Sequence, residues 1–333
     1  MKKDINLQVR ANEEIEKKYT KTLQFIFIKA TLDLFPKSKI TIEHSVGRGI
    51  FGEIFKDEPL NEKDVKDIKD KMQELIDRDL PINKIKVTKE KAIDIFNSYN
   101  MYDKVLLLEQ VDFKEVKLYE LDGRYDYFYG PMTERTSDIK VFDLMYYDNG
   151  FILRRPNDYE KFTLAEFVEQ RKMSSIFRET EKWLDILGVG NVGALNKKID
   201  QGELVNLIMI SEALHEKKIA EIADKICSKE DIKLVLIAGP SSSGKTTFAN
   251  RLGIQLRVNG VIPVPISLDD YFVNRDQTPI DENGEYDFET IGSVDTELFN
   301  KHLNLLLQGE EVEIPEFNFI KGEREWVGKK MKL

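Results

Sequence analysis

Two folds in series are what this sequence of 333 residues predicts: an α+β domain over residues 1–155 and an α/β core over residues 231–333, joined by a helical connector over 156–230. Three observations carry that prediction. Aromatic and β-branched runs, broken by the turn pairs Asp122-Gly123 and Asn149-Gly150, give antiparallel hairpins in the first part. Helical periodicity takes over from Asn157 to Ser228. The continuous apolar run "IKLVLIAG" then meets a glycine-rich turn and a helical pattern, as a buried parallel strand does when it feeds a helix.

Each element follows from local signals. Val65, Ile68, Met72, Leu75 and Ile76 fall at helical spacing, with Asn61 as N-cap and Pro81 beyond the end. Thr88 caps a second helix, "TKEKAIDIFNSY". The segments "VKLYELDGRYDYFYGPMT" and "IKVFDLMYYDNGFILRRP" supply the strands. In the connector, Leu204, Leu207, Ile208, Ser211, His215, Ile219, Ile222 and Ile226 form one stripe, so His215 reads as a core histidine. After the glycine-rich turn come the helix "TTFANRLGIQL" and a further strand, "VIPVPIS".

Composition narrows the function. The net charge of −10 argues against non-specific binding to nucleic acid or anionic lipid, and favours a small or neutral ligand. The single cysteine, Cys227, cannot form an internal disulfide, and no apolar run is long enough to span a bilayer. A soluble cytoplasmic protein is the expectation. The three histidines, His44, His215 and His302, lie too far apart for a zinc set.

Three glycine motifs compete for a nucleotide. "GRGIFGEI" (Gly47, Gly49, Gly52) is locally similar to the glycine-rich loop of protein kinases, but no His-Arg-Asp or Asp-Phe-Gly motif accompanies it, so it reads as a hairpin. "GVGNVG" (Gly188, Gly190, Gly193) has the dinucleotide spacing, but it follows the helical "ETEKWLDIL", so Gly188 reads as a helix C-cap. "GPSSSGKTT" has the strand before it and the helix after it that a P-loop requires. Its backbone, with Gly239, Ser241, Ser242, Ser243, Gly244 and Thr247, is expected to wrap the phosphates of ATP. Lys245 would bridge the β- and γ-phosphates, and the Thr246 hydroxyl would ligate Mg²⁺. Asp269 and Asp270 end the next apolar run, where a carboxylate can take the proton of a hydroxyl attacking the γ-phosphate.

The stretches "IAGPSSSGKTTFANRL", "ISLDDYF", "YDFETIGSVDTELF" and "IPEFNF" resemble, in order and spacing, the uridine kinase and phosphoribulokinase family of P-loop kinases. The resemblance covers Lys233 to about Glu325 and implies a kinase acting on a nucleoside or sugar hydroxyl, a small-molecule acceptor, with nucleic acid an unlikely partner. It assigns Asp269 as catalytic base, Glu289 to the ribose hydroxyls and Phe317 to the nucleobase. Two departures stand out. Gly322 occupies the place of a base-contacting histidine, and Glu289 that of a shorter aspartate.

Upstream, "ATLDLFPKSKITIEHSVGRGIFGEIF" and "YGPMTERTSDIKVFDL" resemble the second N-terminal domain of threonyl-tRNA synthetases, which hydrolyses mischarged tRNA. The polar groups of that domain fall on Lys21, Phe25, Phe128 and Met132 here, so no editing chemistry is expected, and a scaffold or ligand-sensing module is. After Phe319 no further acidic strand or lid follows, and the α/β P-loop NTPase core reads as truncated. The rival to the kinase is a non-catalytic, nucleotide-responsive binding or regulatory module.

Overall fold

The computed structural model describes residues 2–229, 231–240, 242–281 and 284–333, with side chains described from residue 13 onward. The chain divides into two compact units, Met1–Val205 and Asn206–Leu333, a division that falls inside the stretch expected as connector.

The first unit opens with a long helix, α1 (Lys2–Leu34), followed by the hairpin β1 (Lys39–Val46) and β2 (Gly49–Phe55). Val46 pairs with Gly49, and Gly47 and Arg48 between them both have left-handed φ, 53° and 62°. That is the two-residue turn whose twist matches the strands, and it makes "GRGIFGEI" a hairpin. Helix α2 (Glu62–Asp77) begins with a capping box in which Asn61 Oδ1 accepts from the Asp64 N–H and Asp64 returns a bond to the Asn61 N–H. Then follow β3 (Asn83–Thr88), α3 (Lys89–Ser98), capped by Thr88, α4 (Tyr102–Gln110), β4 (Glu115–Leu121), β5 (Arg124–Asp126), β6 (Asp143–Tyr147) and β7 (Gly150–Arg154).

Two antiparallel sheets result, in the orders β1-β2-β7-β6 and β3-β4-β5. Phe25, Ile26 and Phe27 of α1 and Ile68, Met72 and Leu75 of α2 bury against Phe151 and Leu153 of β7, forming the main core. A second core, Val87, Ala92, Phe96, Val116 and Leu118, lies beneath α3 and α4.

The β6–β7 hairpin forms one residue earlier than the sequence signal. Tyr147 pairs with Gly150, and Asp148 and Asn149 take the left-handed positions, at φ 53° and 62°. Gly150 serves the sheet instead of the turn: a Cβ there would lie 2.3 Å from the Gly52 carbonyl oxygen. Helices α5 (Arg171–Leu187) and α6 (Val192–Asp200) complete the unit. Gly188 has φ 67° and donates to the carbonyls of Leu184 and Asp185, so "GVGNVG" begins as a helix C-cap.

The second unit takes most of α7 (Leu204–Cys227), then α8 (Lys245–Val258), α9 (Thr296–Leu307) and four short strands, β8 (Val312–Glu313), β9 (Glu316–Asn318), β10 (Glu323–Glu325) and β11 (Lys330–Met331). Ile219 and Ala223 of α7 pack on Leu252 and Leu256 of α8. Only that end of the α7 stripe is covered, so His215 is exposed and the core role expected for it is corrected.

The parallel sheet expected here is a further correction. Among the described residues, neither 232–238 nor 261–266 enters a ladder; Leu236 is 74% exposed and Ile262 78%. A parallel strand is held by neighbours on both sides and by helices on both faces. The described residues provide α7 and α8, on which Ile237 packs, and no strand partner.

Candidate functional site

The loop before α8 is shaped by its glycines. Ser242 has φ 59° and Gly244 φ 84°, and the Ser243 N–H donates to the Pro240 carbonyl oxygen at 3.3 Å, closing a tight turn before the helix. A Cβ on Gly239 would meet the Ser243 Oγ at 2.7 Å, a contact that rotation of the serine hydroxyl relieves, so the glycine the loop requires is Gly244. The Lys245 ammonium donates to the carbonyl oxygens of Gly239 and Pro240, 2.9 Å each, folding back across the loop. Thr246 and Thr247 are exposed in the first turn of α8, where the positive end of the helix dipole adds to the N–H groups. The arrangement suits a polyanion, with a hydroxyl at Thr246 available to a cation. Ser241, assigned to the same loop, lies outside the described residues.

Asp269 sits on a short 3₁₀ turn, Leu268–Tyr271, whose start is capped by Ser267 Oγ accepting from the Asp269 N–H at 3.3 Å. Its carboxylate is exposed. Behind it the turn is held firmly. Arg324 of β10 donates to the carbonyl oxygens of Tyr271 and Phe272 and to Asp295 Oδ2 at 2.9 Å, and its own N–H bonds Asn274. Tyr271 is fully buried and its hydroxyl meets His302 Nδ1 at 3.1 Å. Burial, and then the neighbouring Asp270 charge, push the Tyr271 hydroxyl up to about 12, while burial first, and Lys301 and Arg324 after it, hold His302 below its usual value. This pair is structural, with Asp269 on its solvent side.

Phe317 does not face open space. It is 8% exposed, edge-on to Phe272 and Phe319, and its N–H reaches Asp270 Oδ1 at 3.5 Å. Phe319, 59% exposed, is the ring left available. Glu289 is exposed, its N–H bonded to Asp287 Oδ1. The structure thus brings Phe317 to the Asp269 turn through Asp270 and Phe272. Among the described residues no ladder joins the segments leading into the phosphate loop and into Asp269. Gly322 has φ 75°, and a Cβ would lie 2.8 Å from the Arg275 guanidinium carbon, so no histidine fits there without displacing Arg275. Sequence reasoning missed Arg324 and the Tyr271–His302 pair, whose partners lie 53 and 31 residues away, beyond any local pattern.

In the first unit, three of the four positions that the resemblance aligns with the synthetase polar groups, Phe25, Phe128 and Met132, join one apolar cluster. Phe25 and Phe128 pack with their rings tilted by 52° and centroids 5.3 Å apart, and Lys21 lies against Gly130. Rings and a thioether stand where a hydrolytic site would need general bases or metal ligands, and no group of three or more His, Cys, Asp or Glu is placed to hold a metal among the described residues. A shallow groove of about 660 Å³, between Tyr146–Asp148 and α5, contains none of the residues assigned from sequence.

No family model matches the chain. Threonine–tRNA ligase of Paraburkholderia xenovorans (strain LB400) is 32% identical over 117 residues, 35% of this chain and 18% of that protein. The ligase of Citrifermentans bemidjiense is 34% identical over 119 residues, and that of Lawsonia intracellularis 28% over 120. The chain spans about a fifth of the length of these curated relatives. None of these matches supports the uridine kinase resemblance. They do overturn one expectation, that nucleic acid is an unlikely partner and a small-molecule acceptor the partner, because the matched proteins are by name ligases of tRNA. The expectation failed physically because net charge sums the whole chain and says nothing of one face. No helix among the described residues is long and apolar enough to cross a membrane. The N-terminal region of this mixed α/β chain is therefore threonyl-tRNA synthetase-like over about a third of the sequence.

Proposed function

We propose that this protein binds Mg·ATP on residues 239–247 and transfers the γ-phosphate to a hydroxyl, with Asp269 as base, and that its synthetase-like unit engages tRNA. One observation carries the nucleotide reading: a glycine-dependent loop with left-handed Ser242 and Gly244, crossed by Lys245, at the N-terminus of a 14-residue helix. Gly239, Ser242 and Gly244 would present N–H groups to the phosphates, Ser243 would exchange its bond to the Pro240 carbonyl for one to a phosphate, Lys245 would leave its two carbonyls for phosphate oxygens, and the hydroxyls of Thr246 and Thr247 would face the bound ion and phosphates. Mg²⁺ supplies charge neutralisation on the phosphates when bound. Asp269, exposed on a turn fixed by Arg324, would accept the proton of the attacking hydroxyl. The tRNA part draws on the likeness to threonine–tRNA ligases.

The test separates binding from transfer. Calorimetric titration with Mg·ATP is expected to show Lys245→Ala weakened by roughly tenfold or more, since a charge-assisted contact is lost; an unchanged affinity would end the assignment. Asp269→Asn should keep ATP affinity and lose ADP release. An active Asp269→Asn protein would remove the base role. A second reading has a specific observation behind it: the unladdered 232–238 segment, with Leu234, Val235 and Leu236 exposed, suits a nucleotide-responsive module without catalysis. Saturable ATP binding with no ADP release from any hydroxyl compound or RNA would favour it.

A further inference from the structure

In a chain of net charge −10, the first unit carries one face rich in lysine. The register of β3 on β4 places Lys86 opposite Lys117 and Lys84 opposite Tyr119. Residues two apart on a strand share a face, so Lys84 and Lys86 stand roughly 7 Å apart beside Lys117. All three are exposed. The Lys84 ammonium lies over the Tyr119 ring, 5.3 Å from its centroid, and the Tyr119 hydroxyl donates to the Gly130 carbonyl at 2.7 Å. Lys21 of α1 reaches the same Gly130: its Nζ lies 2.5 Å from where a Cβ would be. The lysines therefore form one band from β3 and β4, across Tyr119, to the segment after β5. At its end Tyr129 is 85% exposed, next to Tyr127 at 41%. Only one carboxylate, that of Glu115 on Lys86, is paired with these four lysines among the described residues.

We propose that this band is a contact surface for single-stranded RNA, with Lys21, Lys84, Lys86 and Lys117 tracking phosphates and Tyr129 offering a ring to an unstacked base. The inference rests on the proposed engagement of tRNA and names the face that makes it. Two features favour RNA over an acidic peptide. An almost fully exposed tyrosine offers a stacking surface that every base can use, and ammonium groups in a row along a strand match a charge repeated along a backbone better than scattered carboxylates. The expected mode is sequence-tolerant, without hydrolysis, because Phe25, Phe128 and Met132 fill the neighbouring core.

The test is fluorescence anisotropy of the full chain with labelled unfractionated tRNA and a labelled single-stranded oligoadenylate, across a salt series. Lys84→Gln/Lys117→Gln should weaken both by about tenfold or more and reduce the slope of log K against log salt by roughly 1.4, about 0.7 per phosphate contact on a single strand. Tyr129→Ala should weaken the oligoadenylate by about tenfold with its slope unchanged. Native binding to tRNA with an unaltered slope in the double variant would overturn the surface and leave the tRNA reading standing; no tRNA binding at low salt would sink both. Displacement of RNA by polyglutamate at equal charge concentration would overturn the RNA assignment in favour of an acidic protein. All three replaced side chains are exposed, so unchanged thermal unfolding is the control, and Lys84→Glu/Lys117→Glu, with a larger loss, is the second variant.

Discussion

Gly52 has no room for a methyl group. A Cβ there would lie 2.3 Å from the Thr41 carbonyl oxygen and 2.5 Å from the Phe151 ring, in the same layer where Gly49 meets Ile152 and Gly150 meets the Gly52 carbonyl. These glycines, which the sequence spaces like a nucleotide loop, let β2 pass close to β7 and its large side chains. Gly52→Ala should cost roughly 1–3 kcal/mol by overpacking, seen as a lower denaturant midpoint; an unchanged midpoint would mean the strand yields more readily than its contacts imply. In the second unit, removing the Tyr271 hydroxyl leaves His302 Nδ1 short of its partner, and Tyr271→Phe should cost about 1–3 kcal/mol. His302 also gives pH dependence. Burial holds it below its ordinary 6.5, so as pH falls through 6.5 the unfolded chain takes the proton first and stability drops until the lower, folded value is passed. Urea midpoints between pH 8 and pH 5 should therefore fall less in His302→Gln than in the native protein. Equal falls would place the titration elsewhere.

Among the elements, those written in short range were legible. Asn61 and Asp64 bond each other's backbone N–H, so the start of α2 was readable from four residues, and Asn61→Ala should lower stability by about 1 kcal/mol with the rest of α2 intact. A thermal midpoint equal to the native one would show the box to be idle. The turn after Leu121 was readable for the same reason, since Asp122 and Gly123 both take left-handed φ. Elements whose identity depends on distant partners were not. Asn149-Gly150 promised the turn, but Gly150 was claimed by its close approach to Gly52, and the turn moved to Asp148-Asn149. The α7 stripe promised a buried His215, but α8 covers only the end around Ile219 and Ala223. Apolar composition promised strands at 232–238 and 261–266, but a strand exists only where another accepts its hydrogen bonds. At the candidate site the loop was legible because glycine spacing and the helix after it are local. Arg324, fifty-five residues beyond Asp269, holds its turn through contacts that no local pattern encodes.

On the scale of the whole molecule, the two units differ in how their apolar surface is used. The first has continuous cores beneath both of its sheets, whereas the second joins α7 to α8 through a small cluster and leaves Leu236, Ile262 and Val258 largely exposed. Backbone amides without a ladder exchange with solvent at little cost, while those in a packed sheet require larger openings. Amide hydrogen exchange should therefore find 234–238 unprotected and β2, β4 and β7 strongly protected. A ligand that binds only the folded form adds about 2.7 kcal/mol at a hundred times its dissociation constant, and adds it where it binds. If residues 239–247 receive Mg·ATP, saturating nucleotide should slow exchange in the first turns of α8, around Phe248 and Leu252, and leave the β1–β2 hairpin unchanged. Slowing at β1–β2 by the same factor would mean that the two compact units open together, and that nucleotide binding reaches the synthetase-like unit. No slowing at α8 would remove the nucleotide from residues 239–247 altogether.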